Sequence, residues 1–398
     1  MSPLRYVAPA ILAVAVLGAL GGCAAAQSLP EPTPTEAAEP RPVPSTTATP
    51  EPFDPVAVSV TAAMADMDLE EKVGALLMLH RPGVDPAPIR ADIERYGLGG
   101  VILMGDNVPA DPAALRALTD GLVVDDDLPP LVAIDQEGGI VSRLTWDAAA
   151  GADVLKSQPV EATTDAFTTR AGLLADAGAN VNFGIVADVT ADPGSFIHPR
   201  VLGTDPTAAA DRVAAAVGAE QGVVYSTLKH FPGHGAAPGD SHTSIPQTDL
   251  SLADWEAGAA VPFAAGIEAG AELVMSGHLR FTAVDAEPAT VSSAWMDVLR
   301  ADLGFEGVAI TDDMLMLQRS GVAEFADPVE NAIRALAAGQ DMLLYVLPGD
   351  PSTVGIDVDA LIDGIAAAVE SGRIDEASID ESVARVLTLR RSLALDVG

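Results

Sequence analysis

Eight short apolar runs, separated by alanine-rich stretches, constrain the fold of these 398 residues more than any other feature. They are 75–79 (ALLML), 100–104 (GVILM), 131–134 (LVAI), 181–186 (VNFGIV), 225–228 (YSTL), 272–275 (ELVM), 308–311 (VAIT) and 342–346 (MLLYV). Short continuous apolar runs suit strands buried on both faces, as in a parallel sheet covered by helices. Segments of helical period lie between them, such as 207–220 after the Asp205-Pro206 turn and 252–268 behind a Ser251 start signal. Eight strand–helix units define a closed (β/α)8 TIM-type barrel, so the expected class is α/β. An open doubly wound sheet would usually show a glycine-rich phosphate turn after its first strand, and none is visible. The two weakest strands are the first, which could continue a helix begun at 68–73, and the polar run 225–228.

The N-terminus has a different logic. Arg5 precedes a hydrophobic stretch from Tyr6 to Leu20, and Leu20–Cys23 reads LGGC. This is the pattern of an export signal, too short for a membrane span. Its last four residues resemble the lipobox of bacterial lipoproteins, and Cys23 is the only cysteine of the chain. A lone cysteine in an exported protein has no internal disulfide partner, so lipidation at Cys23 is the expectation, with plain secretion as the alternative. Residues 24–55 hold nine prolines and little to bury. Extended at about 3.1 Å per residue, such a disordered tether spans up to about 100 Å. The expected organisation is a signal peptide at 1–22, a lipidated N-terminus and linker at 23–57, and one folded domain at 58–398. The net charge of −36, from 57 acidic and 21 basic residues, argues against nucleic acid as a partner.

Barrel enzymes carry their chemistry on the loops leaving the C-terminal ends of the strands. Asp135 and Arg143 follow the third run, Lys229 and His230 the fifth, a Ser-Gly-His segment the sixth, and Asp312-Asp313 the seventh. The segment KHFPGHGAAPGDSH, 229–242, holds three of the six histidines. His230, His234, Asp240 and His242 are plausible metal ligands, but Pro232 and Gly233 break the helix that a zinc-type spacing needs. No metal and no cofactor are expected. The alternative is proton transfer: Asp240 orients His242, and Asp312, at the end of an apolar strand, is the candidate nucleophile. Asp313 reads as the cap of the following helix.

KHFPGHGAAPGDSH, AIDQEGGIVSRL and GFEGVAITDDM together resemble the signature segments of glycoside hydrolase family 3, specifically its single-domain β-N-acetylhexosaminidases of the NagZ type. The resemblance runs from about Asp68 to Tyr345. It implies a (β/α)8 barrel that removes terminal β-linked N-acetylglucosamine with retention, notably from peptidoglycan fragments. By the same resemblance Asp312 attacks the anomeric carbon, His242 is acid and base, and Asp240 orients it. Lys229, His230, Asp135, Arg143 and Arg200 hold the sugar, and His234 is structural. Two positions depart from the family pattern: Ile140 stands where arginine is usual in DQEGGR, and Leu202 where phenylalanine is usual. Neither is expected at the reacting carbon. A glycan or muropeptide partner, a monomer and anchoring to the outer face of the membrane complete the expectation. The rivals are a β-glucosidase or an N-acetylglucosaminide phosphorylase of the same family, and a catalytically silent glycan-binding lipoprotein.

Overall fold

The computed structural model describes residues 54–396. The expected signal peptide, Cys23 and most of the expected linker lie outside the described residues. The folded part begins slightly earlier than the sequence predicts: Asp54 caps a helix at Pro55–Ala65, accepting from the Val56 and Ala57 amides.

Eight parallel strands form one sheet: β1 (Leu77–Leu79), β2 (Gly100–Leu103), β3 (Leu131–Ile134), β4 (Val181–Val186), β5 (Tyr225–Phe231), β6 (Leu273–Ser276), β7 (Val308–Thr311) and β8 (Leu343–Tyr345). Each pairs with its neighbour in chain order, and β1 also pairs with β8 through Leu77–Leu343 to Leu79–Tyr345. A parallel bridge between Ile310 and Met342 joins the remaining edges, so the sheet curls into a barrel. Every strand residue except Tyr225 is buried, which is why the runs are continuously apolar.

All eight predicted strands are present, with shifted ends. The first is shortened because a helix at Leu69–Ala75, closed by an Asp68–Glu71 capping box, takes its leading residues. The fifth is longer: it continues through Lys229 and His230 to Phe231, so these two lie within the strand and not on the loop after it. The single helix predicted over 252–268 is two, Leu252–Glu256 and Ala260–Glu268. Ser251 caps the first as predicted, and Gly258 lies at the break, where its intrinsic cost to helix propagation is felt.

Helix starts follow a repeated device. The helices at Pro55–Ala65, Pro86–Tyr96, Pro112–Asp120, Pro206–Glu220 and Pro328–Ala338 each begin with proline behind an aspartate whose side chain accepts from first-turn amides. Proline lacks the N–H that a helix start leaves unpaired, and aspartate satisfies the next ones while complementing the dipole. Part of the chain's acidity is thus local capping. At the opposite end of the barrel the C-terminal helix Glu376–Asp396 packs on Pro55–Ala65, and the Tyr225 hydroxyl donates to its Leu389 carbonyl at 2.8 Å. No helix among the described residues is long and apolar enough to cross a membrane.

One buried acid has no counter-charge in contact. Glu220, fully buried, accepts from the Asn182 side-chain amide, while its other carboxylate oxygen has no partner. Burial pushes its carboxyl up to about 8, against the opposing pull of Asn182 and Arg170. Since its ordinary value is 4.5, the neutral form stabilises the fold at low pH, and that contribution is lost as pH rises through about 8. Glu220→Gln should therefore match the wild type in melting temperature near pH 4.5 and exceed it increasingly up to about pH 9, by roughly 3 °C or more. Melting curves over this range check the expectation; a constant offset would contradict it.

Candidate active site

The C-terminal rim of the barrel gathers the candidate residues around one cavity of about 520 Å³. Lys229, on β5 and 2% exposed, lies at its floor. Its ammonium is 2.8 Å from Asp135, just after β3, and 2.8 Å from Glu137. Glu137 also accepts a two-pronged pair from Arg200, at 2.9 Å from Nε and 2.7 Å from Nη2. Arg143 reaches the second oxygen of Asp135 at 3.3 Å. Burial would raise both carboxyls, but Lys229 together with Arg143 or Arg200 holds Asp135 and Glu137 below the usual carboxylate range. Conversely, burial would lower Lys229, yet the two carboxylates hold its ammonium above its ordinary value.

The loop carrying Asp135, Glu137 and Arg143 is fixed from behind. Gln136, fully buried, donates to Ser142 and Asp147 at 2.7 Å each and accepts from the amides of Arg143 and Leu144. Asp147 in turn pairs with the buried Arg170 at 2.8 Å. Gly138, with φ of 81°, runs so close to Arg170 that a Cβ would meet its guanidinium at 2.1 Å.

His230 is held on both sides. Arg200 Nη2 donates toward its Nε2 at 3.2 Å, so Nδ1 carries the proton and donates to the fully buried Asp188 at 2.8 Å. Burial and the Arg200 charge keep this imidazole well below its usual range, hence neutral. Burial also pushes Asp188 up to about 6, against the pull of His234 and Arg200. His234 gives its amide to Asp188 and its Nε2 lies 3.2 Å from the Ser241 hydroxyl. It does not line the cavity, in keeping with its structural reading.

Asp312 follows β7, its amide donating to the Ser276 carbonyl at 2.9 Å while its Oδ1 accepts from the Asp313 amide at 2.8 Å. Burial would raise its carboxyl, but His230, His278, the Asp313 amide and Lys229 keep it below the usual range. His278 is itself lowered by burial, and so is His230. At neutral pH the steady stabilisers of the Asp312 carboxylate are therefore the amide and the Lys229 ammonium. Asp313 caps the helix Met314–Gln318, accepting from Leu315 at 3.1 Å and from Val346 at 3.0 Å. Burial pushes its carboxyl up to about 7.

Asp240 and His242 meet as the sequence predicts. The Asp240 carboxylate accepts from His242 Nδ1 at 2.7 Å and from its amide at 3.0 Å, leaving Nε2 uncommitted. The pair is exposed, at 57% for the imidazole and 41% for the carboxylate, and the ring meets Phe196 edge-on at 5.6 Å. His242 lines the same cavity as Asp312, Asp135, Arg143, Arg200, Lys229 and His230; Asp240 stands behind it. The three histidines of 229–242 are thus divided: His230 on Asp188, His242 on Asp240, His234 on Ser241. Among the described residues no three side chains of the metal-binding types converge on one point.

Glu137, Asp188 and Gln136 were not singled out from the sequence. Glu137 lies inside the DQEGG segment, and Asp188 follows the fourth strand as Asp312 follows the seventh, so the rim rule applied to every strand finds it. Of the two departures from the family pattern, Leu202 is buried in the core, whereas Ile140 is 70% exposed and forms part of the cavity wall.

Removing the Lys229 charge should expose how this floor is held. In Lys229→Met the carboxylates of Asp135 and Glu137 lose their shared counter-ion, at a cost on the order of 3 kcal/mol near pH 7. The deficit should shrink below about pH 5, where the uncompensated carboxyls protonate. Urea denaturation at both pH values measures it.

Residues 68–389 match the glycosyl hydrolase family 3 N terminal domain. Beta-hexosaminidase A of Pseudoalteromonas piscicida is 30% identical over 379 residues, which cover 84% of this chain and 62% of that protein. Beta-hexosaminidase LpqI of Mycobacterium tuberculosis is 31% identical over 364 residues, covering 84% of this chain and 88% of that one. The structure of a glycoside hydrolase family 3 β-N-acetylglucosaminidase from Paenibacillus sp. str. FPU-7 superposes with a TM-score of 0.75 at 33% identity, over 82% of this chain and 63% of that one. This chain spans less than two thirds of the Pseudoalteromonas and Paenibacillus proteins. With its barrel, its rim and this match in agreement, the chain belongs to the glycosyl hydrolase family 3 N terminal domain family.

Proposed function

We propose that the protein is a retaining, exo-acting β-N-acetylhexosaminidase that removes terminal β-linked N-acetylglucosamine from peptidoglycan fragments. The observation that carries this reading is that Asp312, half-buried and held ionised, and His242, oriented by Asp240, line one cavity from different loops. The relatives named beta-hexosaminidase supply the sugar class.

In the first step an Asp312 carboxylate oxygen bonds to the anomeric carbon as the glycosidic C–O bond breaks. The departing oxygen takes the proton from His242 Nε2. In the second step neutral His242 removes a proton from water, whose oxygen displaces Asp312 from the anomeric carbon and restores both groups. Most glycosidases use a second carboxylate for this proton; here the imidazole–Asp240 unit takes the role. Hydrogen bonding of Asp240 to Nδ1 fixes the tautomer that presents Nε2 and stabilises the imidazolium. Lys229, Arg200, Asp135, Arg143 and His230 form the floor that receives the sugar ring, with Arg143 and Asp135 nearest the third strand. We place the enzyme outside the cell, tethered through a lipidated Cys23 by its proline-rich linker.

Asp312→Ala should abolish turnover of an aryl N-acetyl-β-glucosaminide in a protein that melts like the wild type; activity within tenfold of wild type would exclude Asp312 as nucleophile. His242→Ala should lose about a hundred- to ten-thousand-fold on a disaccharide, and far less on an activated aryl glycoside whose leaving group needs no proton. Equal losses on both would remove His242 from the acid role. Comparing the N-acetylglucosaminide with the glucoside tests the sugar class directly. Cys23→Ala in the full chain should move the protein from the membrane fraction to the soluble exported fraction, as read by fractionation.

A further inference from the structure

We infer that Arg319 binds a carboxylate carried by the leaving-group unit of the substrate, making it a specificity-determining residue at the mouth of the cavity; this rests on the hydrolase reading above.

Cations are scarce in a chain of net charge −36, and nearly all are committed. Among the described residues every lysine and arginine side chain donates to a carboxylate or a carbonyl, except Arg280 and Arg319. Arg280 lies outside the cavity with its Nε buried. Arg319 is exposed and lines the cavity. In a molecule this acidic, an exposed guanidinium that makes no hydrogen bond or ion pair, and acts on Asp313 only through space, keeps its donors available.

That position is set by the element leaving the nucleophile. Asp313 caps the helix Met314–Gln318, and Arg319 ends it. Met316 and Arg319, three residues apart, share a helix face, and both line the cavity along with Asp312 and Asp313. The guanidinium is thus carried over the same opening as the reacting carboxylate, two turns of chain away from it.

The cavity floor cannot serve an anionic group. Lys229, Arg200 and Arg143 are each neutralised by Asp135 or Glu137. Asp312 and Asp313 would repel an anion brought to the reacting end. The guanidinium without a hydrogen-bonded carboxylate is at the mouth, where the leaving group of an exo-acting enzyme emerges. There Ile140 and Met316 contribute apolar wall, which offers no competing donor beside the planar five-donor fork. A carboxylate matches that fork in two-pronged geometry. The leaving unit of a peptidoglycan fragment, a sugar bearing an ether-linked carboxylic acid, has this chemistry.

The test compares two disaccharides differing only in that group: N-acetylglucosamine β-linked to the sugar acid, and the same compound as its methyl ester. The wild type should prefer the acid in kcat/KM by about tenfold, and the preference should shrink as ionic strength rises. Arg319→Ala should bring the ratio to about one, and Arg319→Glu should invert it, while Arg319→Lys retains part of it. Arg319 is exposed at a helix end, so melting curves should be unchanged across the set. A wild-type ratio near one, or a ratio unaltered in Arg319→Ala, overturns the inference. The hydrolase reading has its own readout in the aryl N-acetylglucosaminide, which has no carboxylate. If that glycoside is cleaved while the ratio is one, only the role of Arg319 falls; if neither it nor either disaccharide is cleaved, both fall.

Discussion

The site depends on the need to neutralise a lysine inside a barrel. Lys229 is carried within β5 and is almost fully buried, so an unpaired ammonium there would lose its proton or disrupt the fold. Asp135 and Glu137 meet it at hydrogen-bond distance from the far side of the β3 loop, and Arg200 closes the cluster onto Glu137. The arrangement draws two loops and a strand into one geometry. A shift of any of them leaves a buried charge uncompensated, so the cavity floor is rigid for electrostatic reasons. Gln136 and the Asp147–Arg170 pair extend the same logic one layer outward, using every donor and acceptor of the amide to fix the loop.

Two kinds of ionisable group result. On the floor, opposite charges in contact keep carboxylates ionised despite burial. Around it, burial pushes Asp188, Asp313 and Glu220 upward, and their partners, mostly neutral donors, do not offset it. Asp312 belongs with the first kind although no cation touches it. Its charge is maintained by an amide donor and by the nearby ammonium. A carboxylate stabilised without a direct ion pair keeps its lone pairs available for bond formation, as a nucleophile requires.

The sequence made the barrel legible because strands buried on both faces admit only apolar side chains, and eight such runs leave few topologies. Its errors cluster where local pattern carries two meanings. The run 225–228 looked weak because the same strand continues into Lys229 and His230, buried polar groups that are paired with Asp135, Glu137 and Asp188. The first strand was blurred by the helix ending at Ala75. At the site, Asp312, Asp240 and His242 were readable from their position after strands and from the motifs around them. Glu137, Asp188 and Gln136 were not, since their importance lies in what they touch, and partners such as Lys229 and Glu137 are far apart in the chain. Arg319 carries no motif at all; its place at the cavity without a hydrogen bond or ion pair, visible only in three dimensions, sets it apart.

The aspartate–proline pairs that start four of the barrel's helices, at Pro86, Pro112, Pro206 and Pro328, have a further effect. Helices that run antiparallel to the strands begin at the rim where the cavity opens. Fixing φ at these points narrows the unfolded ensemble, so less entropy is lost in forming the rim. The segment bearing Asp240 and His242 has the opposite character, entered and crossed at Gly233 and Gly239 with φ of 127° and 128°. The opening therefore combines stiff helix starts with a permissive arc, and Asp240 and His242 ride on the arc.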